Sequence, residues 1–262
     1  MTEAAAESRV APTGTPSLRH ALASLLEADL IVQLRNGRAL LLSAVLPLVL
    51  LFAFNVGKRA AFLGGPTFRV ASALMLGTAT TAIIGYSMSV ARDREAGVFQ
   101  RLRVTPTPTW AIMISRLAIQ AGSILVMAIL VLVAAAIFQN VSLDPAAYIL
   151  TLVVVILGAA EFLSVGQALV GLVRSSETVN VVGRVLYIPL FALGLLGHLN
   201  VFGDTVETVA QWSPGGALAT MLAGSMHPST WSSDTWLALI ASIIYSVVFA
   251  GIGIRWFQWT AR

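Results

Sequence analysis

The sequence predicts an all-α membrane protein of six transmembrane helices, and three observations predict it. Hydrophobic residues fill 57% of the 262 positions before glycine is counted, while charged residues fill 11%, against roughly half and a quarter in soluble domains. Six stretches of about twenty apolar residues recur along the chain, each long enough to cross the hydrocarbon core as a helix. Thirteen of the sixteen Lys and Arg fall on one side of the spans so defined, as the positive-inside rule requires of a multi-pass protein.

The net charge of +4 comes from basic residues scattered along the chain, not gathered into the stripe that a nucleic-acid surface needs. The chain has no cysteine, which removes disulfides, thiol nucleophiles and Cys-ligated metal from consideration. His20, His198 and His227 lie far apart and lack metal-ligand spacing. Ser213 and Asp204 do not compose a Ser/His/Asp site.

Residues 1–38 form a leading segment before a membrane domain over 39–262. Met1 to Ser17 is polar, carries Pro12, Gly14 and Pro16, and has no apolar core of a signal peptide; it reads as a cytosolic tail. From Ser17 to Arg38, Leu18, Leu22, Leu25, Leu26, Asp29 and Leu30 recur at helical spacing, which predicts an amphipathic helix lying at the cytosolic membrane surface. The same pattern also suits a solvent-exposed connector.

The six spans are Ala39–Val56, Val70–Ala91, Trp110–Phe138, Ala147–Val173, Val179–Leu199 and Trp236–Trp259. Pro47 and Pro189 sit inside spans, where neighbouring helices can satisfy the carbonyls they free. Trp110, Trp236, Trp256 and Trp259 mark span ends as an interfacial aromatic belt does. The basic residues put both termini in the cytoplasm; Lys58, Arg59 and Arg69, in and after the first external loop, run against the rule. No fixed-period repeat is visible, which disfavours an inverted-repeat secondary transporter.

Between the second and third spans runs Arg92-Asp93-Arg94-Glu95-Ala96-Gly97-Val98-Phe99-Gln100-Arg101-Leu102-Arg103-Val104-Thr105-Pro106-Thr107-Pro108. Val98, Phe99 and Leu102 make a small apolar face amid alternating charges, and Pro106 ends the helix. Such a helix can lie across the membrane surface and offer charged and aromatic groups to a cytosolic partner. The charges alone would equally suit a loop that anchors topology.

This run resembles the first cytosolic loop of type-2 ABC exporter permeases, whose pattern is roughly Glu-Arg-Glu-x-Gly-Thr-hydrophobic-Glu-x-Leu-x-x-Thr-Pro. Glu95, Gly97, Leu102, Thr105 and Pro106 match it, Asp93 stands close to its first acid, and Val98 and Gln100 depart from its Thr and second Glu. The six-span layout, the amphipathic first helix and Trp212-Ser213-Pro214 before the last span extend the resemblance over nearly the whole chain.

The resemblance implies that the loop is a coupling helix seated in a cleft of a separate ATP-binding subunit. Arg94, Glu95, Gly97, Phe99, Arg101, Leu102, Thr105 and Pro106 would form it, with Phe99 and Leu102 as apolar anchors and Arg94, Glu95 and Arg101 as a charged rim. It implies two such permeases with two ATP-binding subunits in a bacterial inner membrane, ATP and Mg on the partner, and no cofactor on this chain. No Gly-x-x-x-x-Gly-Lys-Ser/Thr phosphate loop occurs here. It also implies re-entrant helices within Asn200 to Asp234 that close the outer mouth, with Trp212 and Pro214 at that gate. A plain surface loop would fit the residues of that stretch too.

Glu161 sits near the middle of the fourth span, where a charge is costly unless it faces protein or water. Gly158, Ser164 and Ala168 share its face and suit close helix packing. Glu161 and Ser164 read either as lining of the substrate route or as structural groups within the bundle. Export of an amphipathic drug, antibiotic or lipid-like molecule is the expected function. Its rivals are an intramembrane lipid-processing enzyme using Glu161, for which no second polar catalytic group is evident, and a membrane assembly protein that transports nothing.

Overall fold

The computed structural model describes residues 18–35, 37–53, 65–103, 108–197 and 203–257, and all regular structure among them is helical. In chain order the helices are α1 Leu18–Arg35, α2 Gly37–Ala53, α3 Pro66–Ala79, α4 Ser87–Glu95, α5 Val98–Arg103, α6 Thr109–Gln139, α7 Pro145–Leu172, α8 Ser176–Leu196, α9 Asp204–Trp212, α10 Pro214–Met226 and α11 Ser233–Trp256. A π-helical stretch, Thr80–Tyr86, joins α3 to α4.

Five helical columns are long and apolar enough to cross a membrane: Pro66–Glu95, Trp110–Gln139, Pro145–Leu172, Ser176–Leu196 and Ser233–Trp256. The expected first span corresponds to α2, which holds Pro47 inside it and is described over Gly37–Ala53. The expectation ran on to Val56, and residues 54–64 lie outside the described part, as do the tail 1–17, His198, Lys58 and Arg59.

Two columns make the centre. In Pro66–Glu95, 78% of the apolar window is buried, and in α7 61%. The remaining helices pack around them, with α11 laid along α7. Small residues permit that approach: a Cβ on Gly253 would come within 2.6 Å of Gln167 Cγ, and one on Gly171 within 3.1 Å of the Gly253 carbonyl.

The π stretch lies where the column Pro66–Glu95 meets three neighbours, α6, α7 and α8. Thr78 donates its hydroxyl to the Leu74 carbonyl at 2.8 Å, and Thr80 and Ser87 bond back similarly to Leu76 and Ile83. Back-bonded hydroxyls and an inserted side chain loosen the regular ladder. Here Gln120 of α6 donates to the Thr81 carbonyl at 3.1 Å, and Tyr86 donates to Gln167 of α7.

The first helix departs from its expectation in one respect. Its half-buried stripe is Leu22, Leu25, Leu26, Asp29 and Gln33. Asp29 accepts from Ser115 at 2.6 Å and Gln33 donates to Ser123 at 3.0 Å, both on α6. Leu30, expected on the buried face, instead points outward with Ile31, Val32 and Leu34, because the polar pair has found its hydroxyls on α6.

The expected re-entrant region is two short helices. Ser213 separates them: its hydroxyl accepts from Gly216 N at 3.0 Å and donates to the Ala210 carbonyl at 2.6 Å, with Pro214 at the first position of α10. α10 is buried along most of its length among α3, α7, α8 and α11, which meets the condition for a short helix at membrane depth, that protein covers it. A Cβ on Gly194 of α8 would lie 2.7 Å from the Gly215 carbonyl, so these two backbones touch directly.

Candidate functional site

At one end of the bundle α4 gives way to α5 through Ala96 and Gly97. Ala96 N donates to Arg92 O at 2.8 Å and Gly97 N to Arg94 O at 3.1 Å. Gly97 takes φ +70°, the left-handed conformation that ends a helix and favours glycine. Arg101 N then donates to Gly97 O at 3.3 Å and begins the new helix.

Just before this elbow come four consecutive charged residues, Arg92 to Glu95, and successive helical residues are about 100° apart around the axis. Asp93, Arg94 and Glu95 therefore reach three different neighbours. Asp93 forms an ion pair with Arg116 of α6. The Arg94 guanidinium donates to the carbonyls of Val170 at 2.8 Å, Val173 at 2.7 Å and Arg174 at 2.6 Å, where α7 ends. The Glu95 carboxylate accepts from Ser176 N at 2.6 Å and Ser176 Oγ at 2.7 Å, where α8 begins.

The charges match the helix ends they hold. A cation at the last carbonyls of α7 and an anion at the first amide of α8 both sit favourably in the helix dipoles. The two side chains thus clasp the α7–α8 turn from opposite electrostatic sides.

Phe99 of α5 adds a fourth attachment. It is fully buried, edge-on to Phe257 with ring centroids 5.9 Å apart, and the Arg116 guanidinium lies 4.9 Å from its ring centre. Leu102 packs half-buried on the same core. Arg94 is 1% exposed. These positions correct two expected roles: Phe99 is not offered to a partner as an anchor, nor Arg94 as a rim, because both are consumed in contacts inside the chain. The exposed residues of the elbow are Arg92, Glu95, Ala96, Gln100 and Arg101, and Arg101 donates to Ala96 O at 2.9 Å. Thr105 and Pro106 lie outside the described residues.

Glu161 is fully buried between α7 and α11. Its Oε2 accepts from Ser242 at 2.7 Å, and its Oε1 has no partner among the described residues. Ser164 is buried and donates to the Glu161 backbone carbonyl at 2.6 Å, not to the carboxyl. Trp212 and Pro214 stand at the opposite end of the bundle, where the Trp212 carbonyl accepts from Tyr245 of α11.

A family model for the ABC-2 type transporter matches residues 20–227. That stretch includes the elbow, α7, α8 and the paired short helices. The chain belongs to the ABC-2 type transporter family. It is 24% identical over 224 residues to Putative transport permease YvfS of Bacillus subtilis (strain 168), covering 82% of this chain and 88% of that one. No solved structure matches the chain.

The protein is accordingly a multi-pass membrane permease subunit, a transport component, and family membership implies partnership with an ABC ATP-binding subunit. Within the permease the elbow gathers Arg94, Glu95, Gly97, Phe99, Arg101 and Leu102, while Glu161 with Ser164, and Trp212 with Pro214, form separate places. Sequence reasoning missed Arg116, Ser176 and Phe257. Ser175 and Ser176 ahead of an apolar run carry a helix-start signal, and the Ser175 hydroxyl does accept from Thr178 N at 3.2 Å. Nothing local marks Arg116 or Phe257 as partners of the elbow.

Proposed function

We propose that this permease is the membrane subunit of an ATP-driven exporter that moves an amphipathic drug, antibiotic or lipid-like molecule out of the cytoplasm or the inner leaflet. Two copies work with two copies of a separate ATP-binding subunit in the inner membrane, with both permease termini in the cytoplasm and ATP and Mg on the partner. The observation that carries this reading is the grip of Asp93, Arg94 and Glu95 on α6, α7 and α8.

A body pressing on the exposed side of the elbow, at Arg92, Ala96, Gln100 and Arg101, moves a rigid piece. Its displacement passes through Asp93 to Arg116, through Arg94 to the end of α7 and through Glu95 to the start of α8. Three spanning helices then shift together instead of α4 alone. Discrete hydrogen-bonded attachments between packed helices are the kind of contact that carries such coupling. Phe99, gripped by Phe257 and Arg116, keeps α5 from swinging free of the bundle.

The test is capture of the ATP-binding subunit by the detergent-solubilised permease. Wild type is expected to retain it. A variant with Arg92→Glu and Arg101→Glu, both on the exposed side and outside the contacts to α6, α7 and α8, is expected to lose it while eluting as a folded protein. Failure of wild type to retain any ATP-binding subunit would overturn the reading.

A further inference from the structure

With α11 close behind, α8 is the least covered of the five spanning columns. Only 17% of its apolar window is buried inside the chain, against 78% for the column Pro66–Glu95. Its residues therefore meet lipid, a second subunit or the transport route. Val181, Val185 and Ile188 are 58% to 67% exposed and suit lipid or an apolar partner. Beside them runs a different stripe at three- and four-residue spacing: Glu177, Asn180, Arg184, Tyr187 and Phe191.

Arg184 is exposed and lies two turns inside the helix, about 12 Å along the axis from Ser176 at 1.5 Å per residue. Among the described residues no ion pair or hydrogen bond reaches its guanidinium. Among the described residues, the other two charges more than a turn inside a spanning helix each have a partner in the chain: Glu161 accepts from Ser242 through Oε2, and Arg116 is paired with Asp93. An uncompensated cation at such depth is costly in hydrocarbon and marks a surface that water or a counter-charge reaches.

We propose that this stripe of α8 lines the transport route and that Arg184 binds the anionic head, a carboxylate or phosphate, of the transported amphiphile. The guanidinium fork fits either group through two parallel hydrogen bonds. One and two turns further along the same stripe, Tyr187 and Phe191 stack with centroids 6.4 Å apart and planes 26° from parallel. That pair offers an apolar surface one to two turns from Arg184 for the tail of a ligand whose head rests on it. The proposal rests on the exporter reading and adds the substrate's charge to it.

The chain has no native cysteine, so Ile188→Cys gives a single attachment point for an environment-sensitive fluorophore one turn from Arg184. The full-length labelled permease in phosphatidylcholine nanodiscs is titrated with dodecyl phosphate and, separately, with dodecyl maltoside, which shares the tail and lacks the charge. A saturable response to dodecyl phosphate alone is expected. Arg184→Gln should weaken it at least about tenfold, the scale of one lost charge-assisted contact, and Arg184→Lys, which keeps the charge but not the fork, should fall between wild type and Arg184→Gln. Equal affinity in Arg184→Gln, or an equal response to dodecyl maltoside, overturns the proposal. So does a response that needs phosphatidylglycerol in the disc and that dodecyl phosphate cannot displace, which would make Arg184 a resident-lipid anchor. Because no ATP-binding subunit is present, this outcome is independent of the capture experiment: either result can fail while the other stands.

Discussion

Glu95 accepts both the backbone amide and the hydroxyl of Ser176, at 2.6 and 2.7 Å, and so caps α8 from a helix 81 residues earlier in the chain. One residue before it, Arg94 closes the end of α7 on three carbonyls. The α7–α8 turn is held at both edges by adjacent residues of one elbow.

Arg94 should be the most sensitive position of the elbow to substitution. Arg94→Met leaves three carbonyls without their donor in a buried site, and each hydrogen bond from a charged group is worth about 1.5–3 kcal/mol. A loss of about 3 kcal/mol or more is expected in detergent unfolding monitored by fluorescence. Arg94→Lys, lacking the planar fork, should recover only part of it.

Gly97→Ala should cost about 1–2 kcal/mol, because the left-handed conformation at φ +70° crowds a Cβ. Gly97→Asn should cost less, since Asn tolerates that region. Thermal unfolding of the two variants side by side checks the order.

These two positions show what was legible in the sequence. Glu95 and Gly97 stood out because they match a family pattern. Arg94 stood out too, but with the wrong partner: a charge in an exposed loop and a charge buried under a helix end look alike in one dimension. The spans were legible from apolar length. The π segment was hidden, since nothing in the spacing of Thr78, Thr80, Thr81 and Ser87 within an apolar span marks it, and Gln120 reaches the Thr81 carbonyl only through tertiary packing. Buried Phe99 was misread for the same reason as Arg94, because Phe257 and Arg116 reach it only through tertiary packing.

Glu161→Gln should preserve both stability and permease-dependent ATP hydrolysis, since an amide oxygen accepts from Ser242 as the carboxylate oxygen does. Glu161→Leu should lower stability by about 1–3 kcal/mol by stranding the buried Ser242 hydroxyl. If Glu161→Gln folds normally but abolishes activity, the residue acts in the transport route and not as packing.

Gly253→Val should separate α7 from α11, because a Cβ there already lies 2.6 Å from Gln167 Cγ and 2.8 Å from the Gln167 backbone. Overpacking of this kind costs about 1–3 kcal/mol. Loss of folded protein on size exclusion, absent in Gly251→Val where a Cβ meets open space, is the expected contrast.

The most direct test of the relay is a double-mutant cycle on Glu95 and Ser176, read as ATP hydrolysis by the partner that depends on the permease. Glu95→Ala removes both hydrogen bonds and Ser176→Ala removes one, so the double variant should lose no more than Glu95→Ala does. Losses that instead multiply, with the two residues acting independently, would contradict the account that Glu95 drives α8 through Ser176.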